Sequence, residues 1–269
     1  MTAPATAQRA STTRPRRPRP RVGTFVAILA VLVITVWAGD GIDFDLAPLW
    51  TDFGRGWFII QEFLAPNWDY VGRTIGPFIE TLSIAVIATL VGCTIGLAMS
   101  LLASRVTTAN PILYRASKIF LSVVRSLPDV GYGLLFFAIV GAGSLAGILA
   151  LIFFNIGIIA KLTSETIDAV DRGPLEAADA TGASSLQRAR FAVVPMILPN
   201  YLSYCLYVFE LNIRASVVIG IVGGGGIGSS ISVEFARFNY SNVSAIVVLL
   251  IVVVFLIDLL SQSVRRRLT

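Results

Sequence analysis

The chain has 269 residues, 55% of them hydrophobic and 14% charged, with no histidine and a formal net charge of +5. A water-soluble domain of this composition would leave too much apolar surface in water, whereas runs of roughly 20 apolar residues match a bilayer core. Nucleic-acid binding is excluded because no basic patch interleaved with aromatics is present, and histidine-based acid–base or metal chemistry is excluded with the histidines. The expectation is an all-α, multi-pass protein of the cell inner or plasma membrane, with membrane lipid around about six transmembrane helices.

Residues 1–21 are rich in Ala, Thr, Pro and Arg, cannot bury a core, and are expected to form a disordered basic cytoplasmic tail. Arg14, Arg16, Arg17, Arg19 and Arg21 precede the first apolar run, 22–38, and by the positive-inside rule keep the N-terminus in the cytoplasm. The same stretch also reads as a cleavable signal peptide ending at Val36-Trp37-Ala38; the long uninterrupted apolar run favours a retained first transmembrane helix. Residues 39–76 reverse the sign, with Asp40, Asp43, Asp45, Asp52, Glu62 and Asp69 against Arg55 and Arg73. Trp50, Trp57, Phe58, Phe63, Trp68 and Tyr70 suit this segment to the external membrane surface.

The remainder, 77–269, reads as the core of the protein. Residues 77–103 are long enough to cross with tilt, and Gly92, Gly96, Ala98 and Ser100 offer small faces for close packing. Arg105, Arg115 and Lys118 mark the cytoplasmic side. A third crossing lies within 119–140, interrupted by Arg125-Ser126-Leu127-Pro128-Asp129. Charge and proline at membrane depth read either as a kink near the interface or as a broken helix lining a pathway. Residues 141–144 make a short turn, and 145–160 return inward to Lys161 and Glu165.

Residues 171–199 form the longest polar interruption of the downstream half. Pro174 suits a first helical position, and Glu176 and Asp179 put carboxylates near the positive end of the dipole, so a short helix should start near Gly173. Ala177, Ala178, Ala180 and Gly182 leave little bulk, so another protein's backbone could approach closely; Gly182 also offers a C-cap. A second helix should follow from Ser184 or Ser185, with Pro195 and Pro199 just before the next apolar run and Arg188 and Arg190 holding the loop inside. The spacing describes a cytoplasmic loop built to be held by a partner.

Residues 201–222 carry Glu210, Asn212 and Arg214 across the membrane. An ionised side chain at a helix centre costs about 2.5–3.5 kcal/mol on insertion scales and so faces a partner or a wet cavity. Glu210 and Arg214 are four apart and can pair on one face; alternatively Arg214 contributes to the field felt by an anion in transit, with Glu210 orienting it. Six glycines between Gly220 and Gly228, including Gly223, Gly224, Gly225 and Gly226, forbid a regular helix. They form either a flexible external connection or a re-entrant segment whose N–H groups solvate an oxyanion; no Gly-Lys-Ser/Thr ending marks a nucleotide loop. Residues 243–260 make the last crossing, and Arg265-Arg266-Arg267 pin the C-terminus inside, giving six crossings with both termini cytoplasmic. Cys93 and Cys205 fall inside apolar runs as small hydrophobes and indicate neither a disulfide nor a metal site.

Glu176-Ala177-Ala178, Gly182 and Ala192-Val193-Val194-Pro195 at their spacing resemble the EAA loop of ABC-transporter membrane subunits, with Ala192 and Val194 in place of the usual Ile and Leu. Arg125-Ser126-Leu127-Pro128-Asp129, Asn155-Ile156-Gly157 and Glu210-Leu211-Asn212-Ile213-Arg214-Ala215 leading into the glycine run narrow the resemblance to phosphonate-type permeases of ABC importers. Asn155 stands where that family leads one to expect histidine. The resemblance covers 77 to the C-terminus and implies a type I-like importer permease fold. It implies a homodimer, two cytoplasmic ATP-binding subunits on the 171–199 loop, and an external solute-binding protein that delivers phosphonate, phosphate or phosphite. It also implies that the chain binds no cofactor and is not an enzyme, ATP and Mg belonging to the partner subunit. A methionine or polyamine permease is the alternative within this class. A stand-alone ion-coupled secondary transporter is the alternative outside it, and a phospholipid-synthesising transferase would need a cluster of aspartates better arranged than Asp168, Asp171 and Asp179.

Overall fold

The computed structural model describes residues 22–42 and 44–268; the expected tail, 1–21, lies outside the described residues, as do Asp43 and Thr269. Of the described residues, those up to Trp57 belong to one compact unit and those from Phe58 onward to a second. In the first, α1 (Val22–Asp40) is apolar around its whole circumference and long enough to span a bilayer. The Asp45 carboxylate accepts from the Ala47 N–H (2.7 Å) where α2 (Ala47–Thr51) begins, and Phe53 stacks on Trp57 in the first turns of α3 (Phe53–Phe63).

The second unit is built on α4 (Val71–Leu102), which starts earlier than Pro77 and carries that proline within its second turn. Pro77 stands past the first four helical positions, so the helix runs through it at the cost of the bond that the Arg73 carbonyl would otherwise accept. Gly92 and Gly96 bring α4 against α7 (Ser144–Asp168): a Cβ on Gly92 would lie 2.6 Å from Asn155 Cβ, and one on Gly96 2.7 Å from Ile159 Cγ2. Ala98, read as part of the same small face, is exposed. Between these helices the chain breaks its third crossing in two, α5 (Pro111–Val124) and α6 (Asp129–Val140), bent by 86°. The break is a proper structural joint: Pro128 is extended ahead of α6, and the buried Tyr132 hydroxyl donates to the last carbonyl of α5, Val124 (2.6 Å). Among the described residues five helices are long and apolar enough to span, or six if the bent α5–α6 pair is one span.

α8 (Gly173–Ala180) and α9 (Ser185–Arg188) follow α7. From Ser185 the chain is helical without a break, through a wide π-type turn (Ala189–Val193) into α10 (Val194–Ile219), so Pro195 and Pro199 lie inside helix rather than ahead of it. A second wide turn (Gly220–Gly224) and a break at Gly225 lead to α11 (Gly226–Ala236), and α12 (Tyr240–Leu268) completes the chain.

A polar clasp joins α11 to α12 and to the turn before α4. The buried Glu234 carboxylate accepts from Asn242 Nδ2 (2.8 Å) and Asn239 Nδ2 (2.9 Å), and Asn67 Nδ2 reaches Asn242 Oδ1 (2.9 Å). The Asn242 amide above all, with Asn239, Tyr70 and Arg237, holds Glu234 below the usual carboxylate range against burial, which pushes it up. A depressed folded pKa means that the clasp stabilises above the usual carboxylate range and is lost as pH falls through the depressed value. Hydrogen-exchange protection of the α11–α12 turn should therefore be level from pH 7 to about 5 and drop below about pH 4, the drop disappearing in Glu234→Gln.

Candidate functional site

Two regions gather the residues singled out in the sequence. At one end of the bundle, Asp171 Oδ1 accepts from the Gly173 N–H (3.1 Å) and starts α8, and the Gly182 and Ala183 N–H groups close it by donating to Asp179 O (3.0 Å) and Ala178 O (3.1 Å). Gly182 takes φ 76°, a left-handed conformation that an alanine would adopt at roughly 1–2 kcal/mol. Ser184 then caps α9 in a reciprocal box with Gln187. Leu175 is buried with Ile167, Val193 and Ile197, and Ala178 packs on them. Glu176, Ala177, Gly182 and Pro195 stay exposed.

Arg188 holds the pair of helices together. Its Nη1 donates to both carboxylate oxygens of Asp179 (3.0 Å each) and its Nη2 to Val106 O (2.8 Å), tying α8, α9 and the α4–α5 connection at one point. Asp168 accepts from Ser104 Oγ (2.6 Å) and Arg105 N (3.1 Å) alongside. Neither tie follows local spacing, although opposite charges on the two sides of Gly182 are a signal for the first. Leu186 (78% exposed) and Phe191 (70%) complete an apolar outer face that sequence reasoning did not pick out. Arg188→Met should leave the chain inserted but loosen residues 171–190 by about 1 kcal/mol, read as faster limited proteolysis of that loop.

The second region lies at membrane depth around α4. Asn155 donates to Ala88 O (3.0 Å) from α7, and Asn212 donates to Thr89 Oγ1 (2.8 Å) from α10; both amides are fully buried and neither amide oxygen has a protein donor. Arg125 and Ser126 are exposed at the α5–α6 joint, where a Cβ on Gly157 would meet Arg125 Cγ at 2.8 Å, and Pro128 begins α6. Glu210 does not pair with Arg214. Its buried carboxylate accepts instead from Arg265 of α12, which the helix crossing brings to it from the far end of the chain. Arg214 is exposed and has no hydrogen-bond or ion-pair partner among the described residues; with Asn200, Tyr207 and Ile221 it forms a stripe spaced by sevens along one face.

The glycine run is packed rather than free. Gly143 N–H donates to Gly223 O (2.9 Å), Ile227 N–H donates to Thr81 Oγ1 (2.7 Å), and the Glu80 carboxylate lies 2.6 Å from where a Gly225 Cβ would stand. Gly223 (φ 108°), Gly225 (φ 80°) and Gly226 (φ 69°) adopt left-handed backbone, and Gly224 is buried against Ile219 and Gly147. Among the described residues no group of three His, Cys, Asp or Glu side chains could hold a metal ion.

Residues 92–269 match the family described as binding-protein-dependent transport system inner membrane component. The chain is similar to a phosphite transport system permease protein of Stutzerimonas stutzeri (34% identical over 76% of this chain and 74% of the relative). It is also similar to a phosphate-import permease protein of Mycolicibacterium smegmatis (33% identical over 78% of this chain and 40% of the relative). In structure it resembles a chain of the MetNI methionine ABC transporter in an inward facing conformation, with TM-score 0.64 and 25% identity, covering 74% of this chain and 96% of that one. With its spans, its broken third crossing and its α8–α9 loop, the chain belongs to the binding-protein-dependent transport system inner membrane component family, as a multi-pass permease with the fold of type I ABC importers.

Proposed function

We propose that two copies of this chain form the pathway of an ATP-driven importer for a small phosphorus oxyanion: phosphonate, phosphate or phosphite. An external solute-binding protein delivers the anion, both termini are cytoplasmic, and two ATP-binding subunits, which hold ATP and Mg and hydrolyse the nucleotide, grip the α8–α9 loop. The observation that carries the reading is Arg214, a cation without a partner among the described residues, on the exposed stripe of a spanning helix. A charge at that depth needs protein or water around it, and a second copy facing the stripe across a wet pathway supplies both. The relatives named for phosphite and phosphate support the substrate class. Asn212, Asn155 and the α5–α6 joint at Arg125, Ser126 and Pro128 position the helices around that pathway, and the glycine run from Gly223 to Gly226 closes its outer end.

In this reading Glu210 serves Arg265, which leaves the Arg214 field untempered. Glu176, Ala177, Ala178 and Gly182 present the low surface that a partner groove can approach, with Pro195 behind them. Closure of the ATP-binding pair moves that surface and rocks the helices into alternating access. The test is ATP-dependent uptake of labelled phosphite, phosphate and methionine into vesicles holding the complete complex. Oxyanion uptake lost in Glu176→Lys and Gly182→Asp, and reduced at least tenfold in Arg214→Ala, with all variants inserted, supports the reading. Uptake indifferent to ATP sinks it, and methionine as the only cargo replaces the substrate.

A further inference from the structure

Basic residues that follow apolar runs set topology by their number alone, yet the fold gathers three of them on one face. α5 runs antiparallel to α7: Lys118 Nζ donates to Ser164 Oγ (3.3 Å), and a Cβ on Gly157 would meet Arg125 Cγ at 2.8 Å. The two contacts are seven residues apart on either helix, close to two turns, so Lys118 and Arg125 share the α5 face that lies along α7. Lys161 stands between Gly157 and Ser164 on the facing side of α7 and pairs with Glu165 one turn on. Glu165 also lies within electrostatic reach of Lys118 and Arg125. Three cations thus bracket one carboxylate.

The neighbouring acids do not cancel this field. Asp168 is taken up by Ser104 Oγ and the Arg105 N–H, and Asp129 accepts from the Val130 N–H at the start of α6 (2.9 Å). Neither forms an ion pair with Lys118, Arg125 or Lys161 among the described residues. Arg115, exposed one turn before Lys118, and Arg105, 5.3 Å from the Tyr114 ring, add positive charge. The Lys118 ammonium lies 5.7 Å from the same ring, so Tyr114 and Ser164 hold it in place. Cations held close around a single carboxylate repel one another, and an entering anion relieves that repulsion.

Donors are in surplus as well. Lys118 spends one of its three ammonium protons on Ser164, and Arg125, exposed at the α5–α6 joint, has no hydrogen-bond or ion-pair partner among the described residues. A guanidinium fork beside two ammonium groups suits the several oxygens of a phosphorus oxyanion. Glu165 holds Lys161 only loosely, because the pair is half in solvent, with side chains 40% and 53% exposed.

We infer that Lys118, Arg125 and Lys161 form a binding site for a phosphorus oxyanion group at the end of α7 nearest the α8–α9 loop, with Glu165 as the resident occupant that the incoming anion displaces from Lys161. The group has two sources, the cargo leaving the pathway or the headgroup of an anionic phospholipid. The cargo source rests on the transport reading above; the site itself does not.

The experiment titrates inorganic phosphate against the full chain in phosphatidylcholine nanodiscs and reads affinity from broadening of the phosphate NMR line, all in an Arg214→Ala background so that α10 contributes nothing. Lys118→Gln with Lys161→Gln should weaken binding about tenfold, and Lys118→Arg should keep it. Glu165→Gln should tighten binding about threefold, a gain that a merely structural ion pair would not give, and melting should be unchanged in each variant. Competition by added phosphatidylglycerol, with the lipid retained in native mass spectrometry unless both lysines are replaced, assigns the site to a headgroup. Phosphate affinity indifferent to phosphatidylglycerol, with uptake slowed in the double variant, assigns it to the cargo. Absent phosphate binding, equal affinity in the double variant, or no tightening in Glu165→Gln overturns the site and leaves the transporter standing. The expected affinities in a complex that shows no ATP-dependent oxyanion uptake keep the site and overturn the transport reading.

Discussion

Gly228→Ala is expected to be among the most damaging single-atom-group additions in the chain. Its Cβ would run into the Val217 carbonyl oxygen and lie 2.8 Å from Gly220 Cα and 2.9 Å from Ile221 N. Every obstructing atom is backbone, so no side chain can swing aside, and α11 would have to part from the end of α10. Overpacking commonly costs about 1–3 kcal/mol, and a backbone-on-backbone clash belongs at the upper end. Thermal unfolding of the purified chain should drop accordingly, and uptake should fall more than stability if the glycine run closes the outer end of the pathway as proposed. Gly72→Ala is the control: a Cβ there meets nothing within 4 Å in an α4 turn, and alanine should stabilise by roughly 0.5–1 kcal/mol. Equal melting of Gly228→Ala and wild type would mean that the two glycines do not touch.

Arg265→Met is the second large effect expected. It strands the Glu210 carboxylate, 7% exposed, between helices at membrane depth. Breaking one side of a buried pair costs about 3–5 kcal/mol, and because the Arg265 side chain is 28% exposed the lower figure applies. The double change Glu210→Gln with Arg265→Met should recover most of the loss, since a neutral amide needs no counter-charge. A cycle of the two single variants and the double, measured by denaturation in one detergent, reads the coupling directly. Additive losses would show that Arg265 acts through other contacts. Arg214→Ala in the same assay should be near neutral to stability, because its guanidinium has no hydrogen-bond or ion-pair partner among the described residues.

The contrast between those two arginines also marks how far the sequence could be read. Features set by neighbouring residues were legible: the start of α8 near Gly173, its glycine end at Gly182 and the Ser184 cap all follow from side chains within one turn. The spans were legible because the bilayer reads only length and apolarity, and the α5–α6 joint was marked by Arg125 and Pro128, though not its 86°. What escaped depends on which helix faces which. Four-residue spacing offered Arg214 to Glu210, while the crossing of α10 and α12 delivered Arg265. Asn155 entered through the family resemblance and Asn212 as a polar residue within a span, but their attachment to successive residues of α4 is a matter of packing register. Pro77 and Pro199 were read as boundaries because proline disfavours helix interiors, and in each case the helix was already under way. The glycine run was correctly read as irregular, and only tertiary contacts distinguished a packed closure from a loose loop.

From Ser185 the backbone runs as helix to Val222, with wide turns at Ala189–Val193 and from Gly220, and it leaves helical geometry at Gly223 (φ 108°). At 1.5 Å per residue it is roughly 60 Å long, twice the thickness of the hydrocarbon core. A rod of that length works as a lever: turning it by about 5° at one end sweeps the other through roughly 5 Å, more than the width of a carbon–carbon contact. The wide turns sit where a lever needs its bearings, one beside the α8–α9 loop and one at the glycine closure, since widened turns are where helices yield. On the transport reading proposed above, movement imposed at Arg188 reaches Gly220 as rotation of this helix about those turns.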